Sequence, residues 1–357
     1  MKTANLMRIT NLKLLNYRNH IDLRLNLNDS FISVVGPNGS GKTNLLESIY
    51  IISTGKSPRV KYDSDLINYD KSFATVNAVT KNANDEFNLE FQIIREGADH
   101  RSTKKVKVNK VPKALNRFCG LFNSVLFMPE DIQLIKGPPS ERRKYMDSLL
   151  TQVDTEYKKT LNTYAKAVKQ RNKILEKINK DGRGWDEIGY WTVQVLKAGN
   201  ILQRKRAEMF EMIRPHLNLN SERLNGNKKQ TEIIYKKNEF SEDKFQRYQE
   251  REIAAKATLI GPHRDDFEIV FDGHPVGEFG SRGQQRSITL ALKLSEIEYI
   301  EKEKGERPIL LLDDIFSELD EKHKRAVVDV IGSQQTIFTS TIRYSFTPKG
   351  AFIKLEK

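Results

Sequence analysis

The sequence predicts an α/β fold: a sheet core carrying a phosphate-binding loop, an antiparallel β subdomain ahead of it, and an inserted, mainly α-helical lobe. Three stretches predict it. Phe31 to Val35 is an apolar run that feeds a glycine-rich loop and then a helical pattern. Pro308 to Asp314 is a second apolar run, ending in two carboxylates. Between them, from about Glu141 to Leu217, apolar residues recur every three or four positions in a basic background, the period of amphipathic helices.

The loop reads Gly36-Pro37-Asn38-Gly39-Ser40-Gly41-Lys42-Thr43, followed by the apolar face Leu45, Leu46 and Ile49. Strand, loop, helix is the order that phosphate binding needs. Glycines let successive backbone N–H groups curl round phosphate oxygens. The helix N-terminus adds partial positive charge. Lys42 is placed to reach the β- and γ-phosphates and Thr43 to put its hydroxyl on Mg²⁺. ATP with Mg²⁺ is the expected cofactor pair.

Ahead of the loop, Met7 to Tyr17 and Ile21 to Leu27 alternate apolar and polar residues, a strand signal, with Tyr17-Arg18-Asn19-His20 between them. More alternating runs follow from Phe73 to Val108. Lys105 and Lys107 share one strand face. That face reads equally as DNA-facing or as merely solvated. Gly137-Pro138-Pro139-Ser140 then breaks the chain, with Ser140 as the expected cap of a helix from Glu141. Gly182 and Gly184 mark a turn between two antiparallel helices, the second ending near Pro215. This arm carries Lys166, Lys169, Arg171, Lys173, Arg204, Lys205 and Arg206, for which a solvated face is the more ordinary role than phosphate contact. A strand is expected at Thr231 to Tyr235. The expected division is 1–125 for the first part of the loop-bearing lobe, 126–230 for the helical lobe, and 231–357 for the return to the first lobe.

Ile309 to Leu312 suits a parallel strand covered on both faces. Ligands in such sheets lie at the carboxyl ends of strands, so Asp313 is expected beside the loop as a Mg²⁺ ligand and Asp314 where an attacking water sits. Upstream, Ser281-Arg282-Gly283-Gln284 opens another helix. A serine hydroxyl, free N–H groups and a helix dipole make a second anion site there. The two half-sites face different ways, so two copies meeting head to tail around two nucleotides would complete both.

Composition sets the frame. The chain has 357 residues with Lys+Arg 60 against Asp+Glu 47, a formal net charge of +13. That excess suits a regularly anionic partner. Cys119 is the single cysteine, which leaves no intrachain disulfide and fits a reducing compartment. No apolar run is long enough to span a bilayer, and the N-terminus shows no secretory pattern. The expectation is a cytoplasmic protein without a membrane.

The order of phosphate loop, Ser-x-Gly-Gln, Asp-Asp strand and Ser317-Glu318-Leu319-Asp320 resembles the ATP-binding-cassette (ABC) ATPases of the SMC and Rad50 type. Within them the chain is similar to the RecF family of bacterial recombination mediators. That likeness also rests on Tyr17 to His20, Ser57-Pro58-Arg59, Pro129-Glu130-Asp131, Arg142-Arg143 and Leu259-Ile260-Gly261-Pro262-His263-Arg264-Asp265-Asp266. For the last stretch a structural turn is favoured over a metal site at His263, Asp265 and Asp266.

The resemblance implies an ABC-type ATPase head and a weak, DNA-stimulated ATPase. It implies binding to single- and double-stranded and gapped or junction DNA in replication, recombinational gap repair and the SOS response. It implies an ATP-dependent homodimer, with RecR and RecO as partners. It assigns Lys42 and Asp314 to catalysis, Gly36 to Thr43 with Ser281, Gly283 and Gln284 to the nucleotide, and Thr43 and Asp313 to the metal. Ser317 to Asp320 then crosses to the other subunit, Gln133 links the lobes, and Arg18 to His20 approach the nucleotide. Two departures imply slow turnover: Asp314 stands where relatives usually carry Glu, and the strand Thr336 to Thr341 is followed by no histidine, leaving Thr339 or Ser340 only to orient a water. The rivals are a chromosome-structure or transport ATPase subunit and a small-molecule kinase. The basic helical insertion disfavours the transport subunit. The absence of long arms between Lys42 and Asp313 disfavours the chromosome clamp. A kinase would not need Ser281 to Gln284.

Overall fold

The computed structural model describes residues 6–97, 100–317, 324–325, 327–328, 331, 334–344 and 350–356. Strands β1 (Arg8–Tyr17) and β2 (His20–Asn26) form a hairpin in which Tyr17 faces His20. Arg18 sits at φ 54° in its tight turn. Strand β3 (Phe31–Val35), buried at every position, runs into the phosphate loop and helix α1 (Lys42–Thr54). Strands β4 (Phe73–Lys81), β5 (Glu86–Arg95), β6 (Ser102–Val108) and β7 (Val111–Lys113) extend the hairpin into a six-stranded antiparallel sheet, ordered β2-β1-β4-β5-β6-β7. Its alternating strands bury Ile9, Leu12, Leu14, Val76, Leu89, Phe91 and Val106 on one face, as a one-sided sheet requires.

After α2 (Leu115–Phe118) and β8 (Ser124–Phe127) the chain turns helical: α3 (Gln133–Lys136), α4 (Pro139–Val153), α5 (Thr155–Asp181) and α6 (Trp185–Asn225). Helix α4 starts two residues earlier than expected. Pro138 is its N-cap and Pro139 its first residue, while Ser140 lies inside the first turn. Proline fits that position because its ring presets φ and the N–H it lacks has no helical partner there. Asp154 caps α5, accepting from the Tyr157 N–H at 2.9 Å, and Gly182 ends it at φ 71°. The expected stop at Pro215 does not occur. Helix α6 runs through it. One missing N–H costs less than the burial of Ile213, Leu217 and Leu224 on either side contributes.

Strand β9 (Thr231–Lys236), helix α7 (Glu242–Ala255), and strands β10 (Asp266–Phe271) and β11 (His274–Pro275) follow. The strands pair as a small antiparallel sheet in the order β11-β10-β9. Helices α8 (Val276–Phe279) and α9 (Arg282–Lys304) lead to β12 (Ile309–Leu312), β13 (Thr336–Ser340) and β14 (Ala351–Lys354). A five-stranded sheet results, ordered β14-β3-β13-β12-β8 and parallel throughout.

The chain packs as two units. One comprises Met1–Ile132, His216–Lys229 and Ser281–Lys357; the other comprises Gln133–Pro215 and Gln230–Gly280. The expected boundary at 230 therefore differs from the packing. Residues 230–280 go with the helices because β10 packs on α4 and α7 packs on α5. The first unit holds both large sheets and the loop; the second is the helical lobe plus the small sheet.

In the helical unit the stretch Gly261 to Asp266 is a structural knot. Asp265 is fully buried and its carboxylate accepts from Arg206 at 2.8 Å, from Gln203 at 2.8 Å, from the Asn238 N–H at 2.8 Å and from the Tyr235 hydroxyl. Asp266 takes Arg142 in a two-pronged pair at 2.5 and 2.9 Å. Gly261 has φ 122°, and a Cβ there would stand 2.7 Å from the Tyr164 hydroxyl. The metal alternative fails on these grounds, since the carboxylates are already saturated. Among the described residues no cluster of three metal-ligating side chains exists.

Candidate nucleotide site

Three parallel strands aim their carboxyl ends at one place. β3 ends in the phosphate loop, β12 in Asp313 and Asp314, and β13 lies between them. Because β13 lies beside β12, Thr339 near its end reaches both aspartates. The Thr339 hydroxyl donates to Asp313 Oδ1 at 2.6 Å and accepts from the Asp314 N–H at 3.0 Å. Thr43 donates to the other Asp313 oxygen at 2.7 Å. Thr43 and Asp313, the two residues expected at the metal, thus contact each other directly. Thr339, read from sequence as a water-orienting residue, spends its hydroxyl on the aspartates instead. Asp314 sits at φ 44°, a left-handed conformation that a non-glycine residue adopts only when its surroundings hold it.

The loop is shaped for an anion. Pro37, Asn38 and Gly39 form its exposed rim, and Ser40 and Lys42 are buried. Lys42 Nζ donates to the carbonyls of Gly36 at 2.7 Å and Pro37 at 3.0 Å, and no carboxylate pairs with it among the described residues. A buried ammonium neutralised only by carbonyl dipoles favours an incoming phosphate. The buried Ser40 hydroxyl has no hydrogen-bond partner. Gly41, the N-cap of α1, has φ 94° and no side chain to cap the helix, so the first N–H groups of α1 stay available. A Cβ on Gly41 would lie 2.6 Å from Asn19 and His20, and one on Gly36 would lie 2.5 Å from the Leu355 carbonyl. These features fit the phosphates of ATP.

The metal half fits as well. Burial pushes the Asp313 carboxyl above its usual range, against the lowering effect of its Thr339 and Thr43 hydrogen bonds. A divalent cation held by Thr43 and Asp313 would offset that cost by favouring the charged carboxylate.

A second layer supports the loop. His20 Nε2 donates to the Gly41 carbonyl at 3.1 Å, and burial keeps its imidazole below its usual pKa and hence neutral. Asn19 accepts from Asn44 at 2.8 Å, and Asn44 accepts from Arg59 at 2.9 Å. Glu47 is fully buried and receives Arg18 through two bonds at 3.1 and 3.0 Å and Ser57 at 2.6 Å. The sequence motifs around Tyr17–His20 and Ser57–Arg59 thus converge on the first turns of α1. Glu47, which falls within the stretch that resembles the family but was given no role there, is the anchor. The only signal for it was a carboxylate on an otherwise apolar helix face.

The signature stretch is arranged differently. Ser281 caps α9, accepting from the Gln284 N–H at 3.3 Å, and the Gln284 side chain accepts from the Ser281 N–H at 2.8 Å. This is a complete capping box. Ser281, Arg282 and Gly283 are exposed, and a Cβ on Gly283 would meet nothing within 4 Å. Ser317 closes a short helical turn after β12. Glu318, Leu319 and Asp320 of the same motif lie outside the described residues.

Comparison with known proteins places the chain in a family. The RecF/RecN/SMC N terminal domain matches residues 7–351. The chain belongs to this family. It is 35% identical over 351 residues to proteins of Bacillus cereus and Bacillus anthracis called "DNA replication and repair protein RecF", covering 94% of this chain and 92% of each relative. A solved recombination mediator protein, RecF-ATPrS in the RecFOR pathway, superposes with a TM-score of 0.90 at 30% identity, over 99% of this chain and 97% of that one. The corresponding RecF-ATP structure gives 0.88 at 30% identity, over 96% and 94%. The Smc head of Pyrococcus furiosus shares the fold, with a TM-score of 0.53 at 18% identity over 94% and 90%. The architecture of this RecF-family chain is thus that of an ABC-type ATPase head with an inserted helical lobe. No helix among the described residues is long and apolar enough to cross a membrane.

Proposed function

We propose that this chain is an ATP-dependent DNA-binding protein of DNA replication and recombinational gap repair, in which bound ATP and Mg²⁺ join two copies and slow hydrolysis releases them. The observation that carries this reading is the split of the nucleotide chemistry. One part of the chain supplies a phosphate cradle, Lys42, Thr43 and Asp313; another presents an exposed, capped helix start at Ser281–Gly283 with open space above it. A γ-phosphate seated between two copies supplies contacts that vanish on cleavage. Gly36 to Thr43 bind the nucleotide, Ser281, Gly283 and Gln284 close on it from the second copy, and Thr43 and Asp313 hold the metal.

Asp314 acts on the attacking water, with Lys42 stabilising the charge on the leaving phosphate. The Asp314 side chain is one methylene shorter than glutamate, and Thr339 is committed to Asp313. Both support a weak ATPase that uses ATP as a switch; stimulation by DNA belongs to the same family reading. The basic balance supports binding to single- and double-stranded DNA and to gapped junctions through phosphates. RecR and RecO are partners in the same reading, as are a role in the SOS response and a cytoplasmic location.

The test is light scattering with and without ATP and Mg²⁺, paired with binding to gapped and plain duplex DNA. Dimers only with ATP, and tighter binding to the gap, are expected. A chain that stays monomeric with ATP overturns the switch. Ser281→Ala and Gln284→Ala are each expected to leave ATP binding by the monomer within about twofold and to weaken ATP-dependent dimerisation about tenfold, a loss of ~1.4 kcal/mol. Equal loss of ATP binding by the monomer would show that these residues act within one copy.

A further inference from the structure

The structure sorts the basic residues of the helical arm in a way that composition does not. Arg171 is buried and bonded to Glu252, Thr258 and Thr192. Arg206 is buried in the Asp265 knot. Lys205 pairs with Asp154 at 2.8 Å, and Arg204 lies 3.8 Å from Glu208. Lys166, Lys169 and Lys173 stay exposed without a carboxylate partner among the described residues. Two of these three, Lys169 and Lys173, line one groove of about 590 Å³ in the helical unit.

The floor of that groove is the apolar face of α5, where Leu161, Tyr164, Ala165 and Val168 lie. Its rim adds Lys256 and Arg143. Lys256 ends α7 at φ 53°, where glycine is the usual residue, so a lysine is kept at a strained position. Arg143 donates to the Asp265 carbonyl at 3.1 Å and has no carboxylate pair among the described residues. Burial lowers its basicity, with Arg206 and Arg264 adding to that and Asp266 and Asp265 opposing it. His263 contributes no charge: its Nε2–H donates to the Thr258 carbonyl at 2.9 Å and its Nδ1 accepts from the Tyr164 hydroxyl at 2.6 Å. Burial holds its pKa down. Of the carboxylates in the groove, Asp147 is engaged by Arg206, leaving Glu176 alone against four cations.

We propose that this groove is a nucleic-acid backbone site, in which one stretch of phosphodiester lies across Lys169, Lys173, Lys256 and Arg143 with its sugars against the α5 face. The proposal rests on the DNA-binding reading above and adds where contact is made. Lys169 and Lys173 stand one helical turn apart on the same face, so they present a row of positive charge rather than a point. Flexible lysines contact phosphates without reading bases, so the site accepts any sequence.

The test combines Lys169→Gln, Lys173→Gln and Lys256→Gly in the full chain, with Lys166→Gln as an exposed control outside the groove. Anisotropy with single-stranded and duplex oligonucleotides across a salt series reads the outcome, and ATP binding reports that the loop-bearing unit is intact. The triple variant is expected to bind DNA about tenfold more weakly and to lose about two (single strand) to three (duplex) from the slope of log affinity against log salt, at somewhat under one per phosphate contact. Lys166→Gln is expected to change neither. Unchanged affinity and slope in the triple variant, with normal DNA binding by the parent chain, overturn the site and leave the DNA reading standing. Unchanged DNA binding with lost binding of a polyglutamate peptide assigns the groove to an acidic protein partner instead. A parent chain that binds no DNA at low salt overturns the DNA reading itself.

Discussion

Lys42→Ala is expected to abolish ATP-dependent self-association while leaving the fold intact. The ammonium is buried and touches only the Gly36 and Pro37 carbonyls. Its removal takes away a desolvated cation with no paired carboxylate, so stability without nucleotide should hold or rise. ATP loses its charge-assisted contact to the phosphates. Truncating one partner of a buried charge pair costs about 2 kcal/mol or more, which corresponds to roughly thirtyfold or more in ATP affinity. The readouts are thermal unfolding with and without ATP, and light scattering. ATP should raise the melting temperature of the parent chain through mass action and leave the variant unmoved. Persisting dimers, or a collapse of stability without ATP, would count against the assigned role.

Arg206→Met is expected to destabilise the helical unit by about 3–5 kcal/mol, the scale for breaking a buried ion pair by removing one partner. Arg206 donates to Asp265, to Asp147 at 2.8 Å, to the Pro262 carbonyl at 2.7 Å and to the Tyr157 hydroxyl at 2.9 Å. Methionine keeps much of the volume but leaves the buried Asp265 carboxylate without its cation. Two-probe denaturant unfolding should show an earlier transition for the helical unit, with ATP binding at the loop preserved below that transition. A shift under about 1 kcal/mol would mean that Gln203, Tyr235 and the Asn238 N–H suffice for Asp265.

The two positions show different kinds of legibility. Lys42 was readable because a phosphate loop is a local object: strand, glycines, lysine and helix follow one another, and the backbone geometry they need is set within a dozen residues. Arg206 was not. In the sequence it is one of several basic residues on a helical arm, indistinguishable from Arg204 and Lys205 beside it. Its role depends on Asp265 and Asp147, each 59 positions away in the chain. The same holds for Thr339. Its service to Asp313 follows from β13 lying between β3 and β12, a strand order that no local pattern states. The departures at Ser140 and Pro215 are of the opposite kind, where a local rule was outvoted by a neighbouring proline or by burial.

By itself the sequence determined the chemistry of the loop, the parallel Asp-Asp strand, the antiparallel opening and the helical insertion. Each follows from residue type and period over a short span, where covalent geometry and side-chain alternation decide. The tertiary structure alone decided which charges are available. Folding paired Arg171 and Arg206 with buried carboxylates and Lys107 with Glu90 at 2.7 Å, while Lys169, Lys173 and Lys256 have no carboxylate partner among the described residues. Electrostatic interaction falls off with distance and dielectric, so a charge acquires its role only when packing sets what lies beside it and how much water remains.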